Sequence, residues 1–158
     1  MPLAATTYYF SSIDDLLASA LELATQEEIA RFRDAADELL STVDLRRPAE
    51  LADLLLAALG SERKALIAQY ELWLEATRRP ALRESARRST EACVELAAEL
   101  LHRVGCAEPR TDARLLVAAI DALLLEALTE PGEVDPARLR PTLTRLLVAL
   151  GARVPASR

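Results

Sequence analysis

The only histidine in the chain, His102, follows Glu99 with the Glu-x-x-His spacing of carboxylate-bridged di-iron bundles, and Glu95 stands one turn earlier. Such a centre draws a second Glu-x-x-His from another helix, and no second histidine exists to supply it. Any Ser-His-Asp or Cys-His relay would need this same residue. No glycine-rich stretch is present to cradle a phosphate. His102 therefore reads as a solvated helix end, and the chain as a protein that is not an enzyme and holds no metal or cofactor.

Other residues suit binding better than catalysis. Tyr70 and Trp73 are three apart and share one helix face. Bulky rings with a polar handle either pack a core or line a small-molecule pocket. Cys93 falls on the apolar stripe of its own helix, as a small core residue or as part of a cavity wall. Asp121 is a lone acid in a strongly apolar stretch, and its burial requires a partner. That partner is either across a dimer or a polar group on a ligand. The basic run Arg78, Arg79, Arg83, Arg87 and Arg88 is interleaved with Glu75 and Glu84, the pattern of a solvated ion-paired surface.

The elements that must position these groups are helices. Hydrophobic residues make up 51% of the 158 and aromatics only 4%, so the core is aliphatic, mostly Ala and Leu. These are strong helix formers, and no run alternates with period two long enough for a strand. The expected class is all-α, with about six main helices in one domain. Helices are predicted over Ser12 to about Val43 (with a possible break near Thr25), Ala49–Leu59, Ser61 to about Arg79, Ala81–Val104, Thr111 or Asp112 to about Leu128, and Asp135 to about Leu150. From Leu115 to Leu128 only Asp121 and Glu126 are not apolar. A helix so hydrophobic all round must be covered on all sides, which in a domain this small implies a partner subunit.

No apolar run reaches transmembrane length and no signal-peptide layout opens the chain, so a cytoplasmic protein without membrane contact is expected. Cys93 and Cys106 lack CxxC spacing and read as reduced thiols. A net charge of −6 argues against a protein that coats nucleic acid. The first basic residue is Arg31, so the N-terminal stretch has no cation to offer a phosphate backbone.

Two motifs carry a family resemblance. Thr6-Thr7-Tyr8-Tyr9-Phe10-Ser11-Ser12-Ile13-Asp14-Asp15-Leu16-Leu17 is an aromatic helix end, a serine break and an acid-capped restart. It resembles the junction in TetR-family regulators between the DNA-recognition helix and the first helix of the ligand-binding domain. One position departs: Ile13 stands where most of the family has a Lys that contacts DNA phosphate. The second motif, Tyr70-Glu71-Leu72-Trp73-Leu74-Glu75-Ala76 followed by Arg78-Arg79-Pro80-Ala81-Leu82-Arg83, resembles that family's acidic-aromatic helix ending at an Arg-Pro-x-Leu-Arg step.

The resemblance covers essentially the whole chain and implies a ligand-responsive transcriptional regulator, a repressor, with a TetR-like C-terminal bundle. Residues 1–10 would be the remnant of a helix-turn-helix domain, 11–151 the ligand-binding and dimerisation domain, and 152–158 a flexible tail. The family's effector cavity would be lined here by Phe32, Tyr70, Trp73, Cys93 and Asp121, and would take a small, largely apolar molecule. Thr6, Thr7, Tyr8 and Tyr9 match the DNA-contacting region. With the first two helices of the helix-turn-helix absent, operator DNA would be bound only by a longer form of the protein. The last two helices would form a homodimer interface through Leu116, Ile120, Leu123, Leu124, Leu143 and Leu147. The alternative is a DNA-free dimeric helical module that sequesters a ligand or binds another protein.

Overall fold

A computed structural model describes residues 9–40, 47–59 and 62–151. Thr6, Thr7 and Tyr8, the expected tail at 152–158, and the expected stops and caps at Val43, Gly60 and Ser61 lie outside the described residues. Among the described residues the main helices are α1 Ile13–Leu40, α2 Pro48–Leu59, α3 Arg63–Arg78, α4 Pro80–Arg103, α5 Pro109–Leu128 and α6 Pro136–Ala149. No strand occurs among the described residues.

Local chemistry explains most of the boundaries. At the start of α1 the Ser12 hydroxyl accepts from the Asp15 N–H at 3.1 Å, and the Asp15 carboxylate accepts from the Ser11 N–H at 2.9 Å. This is a reciprocal cap in which a serine and an acid satisfy each other's end of the first turn. Tyr9, before the break, is 75% exposed. Thr25 does not interrupt α1. Its hydroxyl donates back to the Leu21 carbonyl at 2.9 Å and the helix runs on.

Proline opens α2, α4, α5 and α6, where its missing N–H costs nothing. Proline at 109 moves the start of α5 ahead of Thr111 and Asp112, which sit in the first turn instead of capping it. Asp135 caps α6, its side chain accepting from the Ala137 N–H at 3.0 Å. Gly105, with φ of +85°, turns the chain after α4 in the left-handed region that side chains resist.

α4 packs against α1, α3 and α5, while α2 is held between α1 and α6. The continuous core joins Leu51, Leu54, Val94, Leu101, Leu116 and Leu143, among others. The helix enclosed nearly all round is α2, whose Leu51, Ala52, Leu54, Leu55 and Leu56 are all buried. α5 is instead amphipathic toward this core. It buries Ala113, Leu116 and Leu124 and leaves Leu115, Ala118, Ala122 and Leu125 exposed on one stripe.

The six positions expected at a dimer interface differ in burial within one chain. Leu116, Leu124, Leu143 and Leu147 are at most 4% exposed within a single chain. Ile120 and Leu123 pack against the same core. Side chains already covered by their own chain have almost no surface left to give a second copy.

A polar seam ties α1 to α4. Arg79, at the N-cap of α4, reaches Asp14 at 2.7 Å, and Ser85 donates to Glu22 at 3.1 Å. Further along, the Thr25 and Ser89 hydroxyls share a buried hydrogen bond of 2.7 Å. The basic run is also largely ion-paired: Arg78 and Arg79 with Glu75, Arg87 and Arg88 with Glu84.

Candidate functional site

The seam ends in a cavity of about 360 Å³ enclosed by α1, α2, α3, α4 and α5. Its volume falls within the range typical of small-molecule sites. Phe32 from α1, Tyr70 and Trp73 from α3, Cys93 from α4 and Asp121 from α5 all line it. Five residues separated by up to 89 positions in sequence are thus brought to one wall system. The aliphatic remainder comes mainly from leucines such as Leu21, Leu55 and Leu116. Trp73, Leu74 and Leu125 line the cavity while staying substantially exposed, so the opening to solvent lies between α3 and α5.

Two carboxyl groups give the cavity its electrostatic character. The Tyr70 hydroxyl donates to Asp121 Oδ1 at 3.0 Å. Gln69 Nε2 donates to Glu28 Oε2 at 3.0 Å, and the Cys93 thiol lies 3.9 Å from the same oxygen. All of these donors are neutral. No Lys or Arg lines the cavity among the described residues.

The energetics follow from that arrangement. Burial pushes the Glu28 carboxyl above the usual carboxylate range; the Gln69 hydrogen bond opposes the rise and the Asp121 charge adds to it. Burial likewise raises Asp121, against the opposing bond from Tyr70. Burial and the two nearby acids hold the Cys93 thiol up at about 12, so it stays a neutral thiol. Tyr70 is pushed upward by burial and by the Asp121 charge.

Glu28 and Gln69 are functional candidates that the sequence reasoning missed. The signal was present. Leu21, Thr25, Glu28 and Phe32 follow i, i+4, i+7 and i+11 on α1, so Glu28 interrupts an inward stripe. Leu66, Gln69, Tyr70 and Trp73 do the same on α3. By contrast His102, Glu95 and Glu99 are all exposed on α4, away from this cavity.

A helical bundle that encloses an apolar cavity with two inward carboxyls is a small-molecule-binding domain, and its sequence places it in a family. Residues 46–149 match the family described as tetracyclin repressor-like, C-terminal domain. Among solved structures, the multidrug binding protein EbrR complexed with imidazole is 38% identical, covers 100% of this chain and 80% of its own, and superposes with a TM-score of 0.65. EbrR complexed with ethidium is 36% identical over 92% of this chain and 79% of that one, with a TM-score of 0.63. A transcriptional regulator from Rhodococcus sp. Rha1 shares the fold, with 24% identity over 88% of this chain and 86% of its own and a TM-score of 0.63. No protein of curated function matches the sequence significantly. The chain belongs to the TetR family and carries its C-terminal ligand-binding domain.

Proposed function

We propose that this protein is a ligand-responsive transcriptional regulator, a repressor, whose effector is a small aromatic molecule bearing positive charge. The observation that carries the effector class is the pair Glu28 and Asp121 in a mostly apolar cavity whose other polar groups are neutral, without a basic residue among the described lining. An apolar wall with aromatic rings favours a flat hydrophobic ligand. Uncompensated carboxyls and the faces of Tyr70 and Trp73 favour a cation. The relative EbrR was solved with ethidium and with proflavin, both planar aromatic cations. A purely apolar effector would leave two buried acids with neutral hydrogen-bond donors and no counter-charge in the cavity, so charge is added here to the small apolar ligand expected from sequence.

Effector binding acts through α1. Glu28 stands in the cavity, and the same helix face carries Thr25, Glu22 and Asp14, each bonded to α4 or its N-cap. A ligand that pulls on Glu28 shifts a helix fastened along its length. The start of that helix adjoins Tyr9, in the stretch that resembles the DNA-contacting region. The response is a shift in population between two geometries of a homodimer. The second copy packs on the exposed residues Leu115, Ala118 and Ala122 of α5, with Val148 of α6.

Titration with ethidium, followed by quenching of Trp73, the chain's single tryptophan, tests the effector class. Saturable binding with one ligand per chain, weakened at least tenfold in Glu28→Gln or Asp121→Asn, is the expected result. Equal affinity for ethidium in the wild type and in both variants would remove the role assigned to the carboxyls. Selection of genomic DNA fragments with and without ethidium, by a form of the protein that carries the whole helix-turn-helix, tests regulation, with operator fragments expected to be retained only in its absence.

A further inference from the structure

Glu28 and Asp121 come from different helices into one cavity, and every donor they meet there is uncharged. The groups facing Glu28 are Gln69 and Tyr70 from α3, Cys93 from α4, Asp121 from α5 and, along its own helix, the exposed Arg31; the α2 wall adds only the aliphatic Leu55 and Leu59. Asp121 faces Tyr70, with Cys93 and Glu28 beyond it. Two carboxylates enclosed together repel one another and each loses its water, so an empty cavity favours the neutral acid. A bound cation reverses that balance, because it brings into the cavity a counter-charge that no lining residue supplies and that Arg31 supplies only from the exposed face of α1.

We propose that the cavity binds a fixed-charge organic cation in exchange for a proton. The inference rests on the effector class proposed above and adds how the site discriminates. The step balances simply: a carboxylic acid of Glu28 or Asp121 gives up its O–H proton to solvent through the mouth beside Trp73. The carboxylate left behind pairs with the ligand cation. No bond other than O–H is broken. The Tyr70 and Cys93 protons stay in place, since burial and the neighbouring acids hold both groups neutral across the physiological range. The two carboxyls are therefore the cavity groups that carry the exchange.

The exchange has a consequence for specificity. A neutral ligand of the same shape gains no ion pair and has no reason to expel a proton. A fixed cation gains the ion pair at the cost of releasing the proton, and gains more as the pH rises. Selectivity for cations over neutral isosteres thus grows with pH up to the point where the exchanging acid is already ionised.

Calorimetric titration of the full chain with ethidium tests this, run in two buffers of different ionisation enthalpy at pH values from about 5 to 8. Ethidium keeps its positive charge over that range, so any proton released comes from the protein. The expected result is release approaching one proton per ethidium at the acidic end, with affinity rising up to about tenfold per pH unit there and levelling off above. In Glu28→Gln or Asp121→Asn, whichever removes the exchanging acid, affinity becomes independent of pH. The wild-type measurement stands even if a variant does not fold. Ethidium binding with a buffer-independent heat and a flat pH profile would overturn the exchange while leaving the cationic effector in place. No ethidium binding by calorimetry or by Trp73 quenching would overturn the effector class and the exchange together.

Discussion

The Tyr70 hydroxyl on α3 and the Asp121 carboxylate on α5 meet at 3.0 Å inside the cavity, 51 positions apart in the chain. The bond gives the buried acid its donor and fixes the ring at the wall. Neither residue is left to find a partner in another subunit. In Tyr70→Phe the acid loses that donor while the ring keeps its packing. We expect ethidium affinity to fall about three- to tenfold, as for loss of one ordinary hydrogen bond. Fluorescence titration of the variant checks this, and a melting temperature within a few degrees of wild type would show that the fold is intact.

Glu28 predicts a pH dependence of stability with a definite sign. Its carboxyl titrates higher in the folded protein than in the unfolded chain, because burial disfavours the charge. The folded state therefore gains from this group most fully below the ordinary carboxylate pKa, and loses that gain as pH rises through the raised value. Glu28→Gln keeps an acceptor for Gln69 and removes the charge. It should raise unfolding free energy by about 1 kcal/mol near pH 8 and change little near pH 4. Urea denaturation at the two pH values decides; a loss of stability at pH 8 would mean the charge is accommodated better than its surroundings imply.

Arg63 ties the start of α3 to the end of α5. Its guanidinium donates to the carbonyls of Leu128 at 2.5 Å, Glu130 at 2.7 Å and Gly132 at 3.2 Å, while its backbone N–H donates to Glu133 at 2.9 Å. Carbonyls at a helix C-terminus lack helical donors and favour a cation. Arg63→Ala should cost about 2 kcal/mol, with Arg63→Lys recovering only part because an ammonium cannot span three carbonyls. Thermal unfolding of the two variants provides the comparison.

Leu147 and Leu115 separate the core from the surface proposed for a second copy. Leu147 is fully buried in one chain and Leu115 is 55% exposed. Leu147→Ala should lower unfolding free energy by about 2–5 kcal/mol. Leu115→Glu should leave helicity intact and shift the protein from dimer to monomer, read by light scattering after size exclusion. A Leu115→Glu variant that remains dimeric would move the interface off this stripe.

The sequence by itself determined the helices, their approximate limits and the family, because 3.6-residue periodicity, prolines and caps are local signals. For the unusual polar and aromatic residues it left core and cavity both open, and the family resemblance supplied the cavity reading. Phe32, Tyr70, Trp73, Cys93 and Asp121 all stood out against leucine and alanine, and all five line the same space. Only the tertiary structure decided which helix is central and which leucines face inward. Periodicity reports that Leu116 and Leu124 share a face with each other, but not what covers that face. Within one chain α2 takes the enclosed position, and α5, whose apolar content suggested a partner, keeps an exposed apolar stripe. Glu28 escaped for a related reason. A glutamate on a long amphipathic helix looks like solvated surface until packing sets Gln69 and Cys93 against it, since the difference lies in neighbours supplied by other helices.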